Sequence, residues 1–187
     1  MPRPRRQLAA PGVSAALALL AVAGLAAQAR GDRPRPEADE ARGALRDGDH
    51  HYQIVIAAGW RPLEPPGGTL TAYAADGGRG TLAITRVATG TRAARDPDDL
   101  AGQVQRGVER STRGFHRVRR RLSRSSRGAA LDLSYERAGP SGTELVLSRY
   151  LFSARYTVVV SIGLPHGASR GERRAAEAMV RSFAPYE

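Results

Sequence analysis

The chain has 187 residues, a formal net charge of +11 and no cysteine. The absence of thiols excludes disulfides, cysteine-held metals, thiol nucleophiles and a lipid anchor on an N-terminal cysteine. All 29 basic residues are arginine, and alanine and glycine are abundant. This is the composition of a GC-rich genome, so basicity alone is weak support for a polyanion partner.

In chain order, Arg3, Arg5 and Arg6 form a positive head and Val13 to Ala27 an uncharged apolar run. Ala27-Gln28-Ala29 supplies a small-x-small cleavage site. The three parts predict a secretory signal peptide over residues 1–29, cut after Ala29, and hence export to the periplasm or the medium. The alternative is an uncleaved membrane anchor over Leu8–Ala29, nearly long enough to span at ~20 residues. Cleavage leaves 158 residues, one domain's worth.

Residues 30–49 hold arginine, proline, glycine and acids with almost no large apolar residue, and read as a disordered linker. A single domain is expected over residues 50–187. Tyr52, Ile54 and Ile56 alternate with Gln53 and Val55 as a first strand, running into Gly59-Trp60. Pro62, Pro65, Pro66, Gly67 and Gly68 read as a loop. Thr69–Ala75 and Thr81–Val87 are β-prone runs joined by Asp76-Gly77-Gly78-Arg79-Gly80, a hairpin signal. Asp96-Pro97-Asp98-Asp99 starts a helix with a cap, a proline at the first position and acids on the positive dipole end. Leu100, Val104 and Val108 form its apolar stripe, and Gly114 stops it.

Phe115–Ser123 and Gly128–Glu136 read as a hairpin around Arg124-Ser125-Ser126-Arg127. Strands follow at Glu144–Phe152 and Tyr156–Leu164; Val158, Val159, Val160 and Ile162 make the last one apolar on both faces, hence central. Ser169 and Glu172 form a capping box for a helix with Ala175, Ala176, Met179, Val180 and Phe183 on one face. The expected order is β-β-β-α-β-β-β-β-α: an α+β domain with an antiparallel sheet and two covering helices.

The charge is local. Residues 106–127 carry nine arginines and one acid, Glu109, while the rest of the mature chain balances. Alternation puts Arg117, Arg119 and Arg121 on one face of a strand, alternate residues standing about 6–7 Å apart. Such a row of planar guanidinium forks suits phosphates, sulfates or carboxylates. With the turn centred on Ser125-Ser126, Arg119 faces Asp132, Arg117 faces Ser134 and Arg121 faces Ala130. A solvated face with one cross-strand ion pair is the plainer reading. Arg120, on the more apolar face, fits an edge strand whose stem snorkels to water.

No catalytic motif is found. His50, His51, His116 and His166 lack metal-ligand spacing, so no metal or other cofactor is expected. Gly139-Pro140-Ser141-Gly142 is a turn rather than a nucleophile elbow. Asp98-Asp99 are accounted for by the helix start. Nucleic acid is not an expected partner, since no aromatics interleave with the arginines.

Tyr52-Gln53-Ile54-Val55-Ile56 followed by Gly59-Trp60, the mid-chain helix at 97–112, the strand Tyr156-Thr157-Val158-Val159-Val160 and the terminal helix closing on Ser182-Phe183 together resemble the PsbP-like superfamily, which includes bacterial envelope proteins of the DcrB type. The resemblance covers about residues 50–187. It implies an α/β/α sandwich and an accessory or partner-binding role without shared catalytic residues. The expectation is an exported, non-enzymatic module of the cell envelope with a protein partner. The alternative is a polyanion binder, for anionic lipid or acidic polysaccharide, using Arg117, Arg119 and Arg121.

Overall fold

The computed structural model describes residues 38–39, 43–88, 96–125, 128–139, 142–153 and 156–186. The signal segment 1–29 lies outside them. Six strands come before the first helix: β1 (Ala38–Asp39), β2 (Ala44–Asp47), β3 (Tyr52–Val55), β4 (Trp60–Leu63), β5 (Thr69–Ala75) and β6 (Thr81–Ala88). Helix α1 (Pro97–Ser111) leads into β7 (His116–Ser125), β8 (Gly128–Gly139), β9 (Gly142–Phe152) and β10 (Tyr156–Pro165). Helix α2 (Arg170–Ser182) and the short β11 (Ala184–Pro185) follow.

The strands form two antiparallel sheets. The larger has the order β4-β5-β6-β10-β9-β8-β7 and the smaller β1-β2-β3-β11. Each run of neighbours β4-β5-β6 and β10-β9-β8-β7 is a chain of hairpins. The long-range β6–β10 pairing, Thr85 against Val159 and Ile84 against Val160, joins them. β10 is thus central, as its two-sided apolar pattern requires.

Alternate residues of the same strands enter two separate clusters, one under each helix. Leu145, Leu147 and Leu151 of β9 and Val158, Val160 and Ile162 of β10 pack with Ala176, Met179 and Val180 of α2. Val146, Tyr150 and Phe152 of β9, Val159 of β10 and Leu131, Leu133 and Tyr135 of β8 pack with Leu100, Ala101, Val104 and Val108 of α1. Both helices start where their caps dictate. Asp96 accepts from the Asp98 N–H at 2.8 Å, with Pro97 at the first helical position. Ser169 and Glu172 satisfy each other's backbone N–H groups.

Two expectations are corrected. Residues 44–47, placed in the linker, form β2. The linker's composition is polar on average, but Leu45 is 2% exposed and packs in the α2-side core opposite Ile54. Gly43 admits this entry: its φ is +62°, the Ile56 N–H donates to its carbonyl at 2.7 Å, and a Cβ there would stand 2.8 Å from the Ile56 oxygen. The segment around Pro62, placed in a loop, is β4. Proline is tolerated because β4 is the edge strand of the large sheet, where a missing N–H breaks no ladder.

Candidate functional site

β7 is the opposite edge of the large sheet and, among the described residues, pairs only with β8. Its sequence, His-Arg-Val-Arg-Arg-Arg-Leu-Ser-Arg-Ser, is exposed throughout except at Leu122 and Ser123. The register differs from the expected one by two residues: Arg121 faces Asp132, Arg119 faces Ser134 and Ser123 faces Ala130. The apolar match decides it. This register sets Leu122 against Leu131, in the α1-side cluster, where the expected one sets Leu122 against Ala129. β8 begins at Gly128, whose φ of +123° suits glycine.

A bulge at Val118 then breaks the expected row. Arg117 stands opposite Tyr135, whose ring belongs to the α1-side core, while Arg119 and Arg121 stand opposite Ser134 and Asp132 on the other face. Arg120, opposite Leu133, shares the α1 side with Arg117. The structure therefore keeps Arg119 and Arg121 together and moves Arg117 to the far face. Both faces of one edge strand carry guanidinium groups. Val118 itself is 56% exposed.

The acid opposite Arg121 is already engaged. Arg149 of β9 lies beside Asp132, Nε to Oδ1 3.2 Å, in an ion pair without a hydrogen bond between the two atoms. The same guanidinium donates through Nη1 to the Arg181 carbonyl at 2.9 Å and to Val180 at 3.5 Å, in the last turn of α2. Arg124, at the other end of β7, pairs with Asp98 in the first turn of α1. The side chains of Arg117, Arg119, Arg120 and Arg121 make no ion pair or hydrogen bond among the described residues. Sequence reasoning missed the Arg149 clamp. Its signal was a lone arginine inside the apolar run Val146-Leu147-Ser148-Arg149-Tyr150-Leu151.

A shallow cavity of about 250 Å³ opens between the β7–β8 end of the sheet and α2. Arg124, Arg149 and Arg181 line it together with Phe152 and Phe183. Their charge is largely compensated by Asp98, Asp132 and Glu177. Elsewhere, the β2–β3 turn joins His50 Nδ1 to Asp47 at 2.9 Å, and the Tyr52 hydroxyl meets Thr71 Oγ1 at 3.2 Å. Burial pushes the Tyr52, Tyr135 and Tyr150 hydroxyls above the usual tyrosine range. The Ser169 side chain and backbone hold the Glu172 carboxyl below its usual range, as a capping box does. Among the described residues no three His, Cys, Asp or Glu side chains group to hold a metal. The chemistry β7 offers is that of fixed cations: charge-assisted hydrogen bonds to anions.

No protein-family model matches the chain, and no curated protein is similar to it in sequence. Solved structures are similar in fold. The cyanobacterial PsbP of Synechocystis sp. PCC 6803 superposes with a TM-score of 0.60 at 10% identity, over 76% of this chain and 91% of its own. LpqN, involved in cell envelope biogenesis of Mycobacterium tuberculosis, gives 0.56 at 14% identity, over 77% and 90%. The Ran-binding protein Mog1p of Saccharomyces cerevisiae gives 0.53 at 12% identity, over 78% and 96%. Each superposition spans nine-tenths or more of the neighbour's own length: this chain has the PsbP-like fold.

Proposed function

We propose that this chain is an exported, non-enzymatic accessory module of the cell envelope that acts by binding a partner. The observation that carries the reading is the concentration of uncompensated charge at β7. Four exposed arginines stand on one edge strand with no ion pair among the described residues, where a surface selected only for solubility intersperses both signs. The neighbours support it by analogy: one structure of this fold is described as Ran-binding and another as involved in cell envelope biogenesis. Export rests on the arginine head, apolar run and cleavage site of residues 1–29.

The test is expression of the full chain in a bacterial host with fractionation and intact-mass measurement. A product beginning at Arg30 in the periplasm or medium supports the reading. Full-length chain in the cytosol, or retained in the membrane pellet, refutes the export it requires.

Arg119 and Arg121 on one face favour a second reading, a binder of anionic lipid or acidic polysaccharide. It predicts binding to anionic vesicles or heparin that falls steeply with salt and disappears when Arg117, Arg119 and Arg121 are all replaced by Gln. Equal binding of wild type and variant excludes it.

A further inference from the structure

The two edges of the large sheet are built differently. β4 has four residues and contains Pro62, which lacks an N–H and closes that edge to pairing. β7 has ten residues with neither proline nor glycine. Among the described residues it is hydrogen-bonded to β8 on one side only, so about half its N–H and C=O groups point outward with no described strand to meet them. An edge of this length is a template for another strand, and natural proteins guard such edges with charge.

The guard here has one sign. Arg117 and Arg120 flank the edge on the α1 side, and Arg119 and Arg121 flank it on the other. Two copies of β7 meeting edge to edge bring like charges against each other on both faces, so pairing between copies is opposed. A strand bearing acids is not opposed. It satisfies the outward backbone groups and the guanidinium forks in one event, with no internal acid to displace, because Asp132 is held by Arg149 and Asp98 by Arg124. The bulge refines the match. Since arginines stand on both faces, the complementary strand needs acids at adjacent positions, not only at every second one. Val118, 56% exposed at the bulge, offers one apolar contact within the charged row.

We propose that β7 accepts an extended acidic polypeptide segment of a partner protein as an added edge strand of the large sheet. The inference rests on the partner-binding reading above and specifies the partner's chemistry and mode of docking. The backbone supplies the geometry and the four arginines supply the selection.

The test uses the mature protein and fluorescent ten-residue acidic peptides, matched to the length of β7, with Glu at successive positions around one central Val. Three versions are compared: unmodified, N-methylated at odd positions and N-methylated at even positions. All carry the same charge. An added strand uses only alternate N–H groups, so one methylated peptide binds like the unmodified one and the other binds about tenfold or more weakly. Hydrogen exchange at alternate β7 amides slows when the unmodified peptide is present. Replacing Arg117, Arg119, Arg120 and Arg121 with Gln, with the fold checked by circular dichroism, removes binding and its salt dependence.

Equal affinity of the three peptides means charge attraction without strand addition and overturns the proposal, as does the absence of binding. Binding of heparin or anionic vesicles in preference to every peptide overturns it in favour of a polyanion. A photo-crosslinker at Arg119 in the exported protein, within its own cells, separates the two levels. If the peptides fail but the crosslinker captures a protein that a crosslinker at Leu63 does not, strand addition is wrong and partner binding at β7 stands. If both fail, both readings fall.

Discussion

Arg149 shows how one side chain decides what its neighbours are free to do. It lies in the middle of β9, mostly buried, between Asp132 on the adjacent strand and the terminal carbonyls of α2. A helix end leaves its last carbonyls without partners, and a cation there meets both their lone pairs and the negative end of the dipole. Because the guanidinium is held in place from two sides, it outcompetes the exposed Arg121 for Asp132. Replacing Arg149 with Met is expected to destabilise the fold by about 1–3 kcal/mol, since it strands a half-buried carboxylate and uncaps α2. Urea unfolding measures this, and a cycle with Asp132→Asn isolates the pair. The buried tyrosines give a second prediction. Tyr52, Tyr135 and Tyr150 have hydroxyls raised above the ordinary value of 10.0 by burial. Below pH 10 folded and unfolded chains both keep these protons, so the stabilisation is fully present. Above it the unfolded chain releases them first, and stability falls by about 1.4 kcal/mol per pH unit for each. Thermal melts from neutral pH to strongly alkaline pH should be flat up to about pH 10 and then drop, with tyrosinate absorbance rising together with unfolding. Tyrosinate appearing for all six tyrosines before unfolding contradicts this.

At the scale of elements, legibility follows how local the cause is. Both helices are readable because a few adjacent residues write their starts: Asp96-Pro97 for α1, and Ser169 with Glu172 for α2. Asp96→Ala removes the one side-chain acceptor of the α1 cap and should cost about 1 kcal/mol, measurable as a lower urea midpoint with unchanged slope. β10 is readable because apolar residues on both faces have only one place to go. β4 is not, since proline signals a loop and only the finished sheet shows that it occupies an edge. The β7–β8 register is half-readable. Alternation gives the hairpin, but pairing Leu122 with Leu131 depends on the α1 core beneath them. The bulge at Val118 has no local signal at all: it lies between two stretches of regular pairing and moves Arg117 away from Arg119 and Arg121. The candidate site was therefore legible as a cluster of charge and illegible as a geometry.

At the scale of the whole molecule, the start of the folded domain is set by the small sheet, which composition concealed. One leucine in a polar stretch is enough when the fold provides a slot. Leu45 enters a core made by Tyr52, Ile54, Phe183 and the α2 stripe, and β2 covers the edge of β3 that β11 leaves open. A chain beginning at His50 loses both. The burial of Leu45 alone contributes about 1.5–3 kcal/mol, and uncovering Ile54 and the β3 ladder adds to that. A chain beginning at Arg30 keeps β1 and β2. The shorter chain is expected to melt several degrees or more below the longer one and to bind a hydrophobic dye at its exposed core edge. Gly43→Ala in the longer chain probes the same junction without deletion. It forces a Cβ against the Ile56 carbonyl at a positive φ, and should reproduce part of the destabilisation that the truncation causes. Equal melting of the two chains would place the boundary at His50 after all, with β2 only resting on the domain; a large difference makes residues 43–49 part of the core that holds α2, and through Arg149 and Asp132 part of what leaves the β7 arginines free.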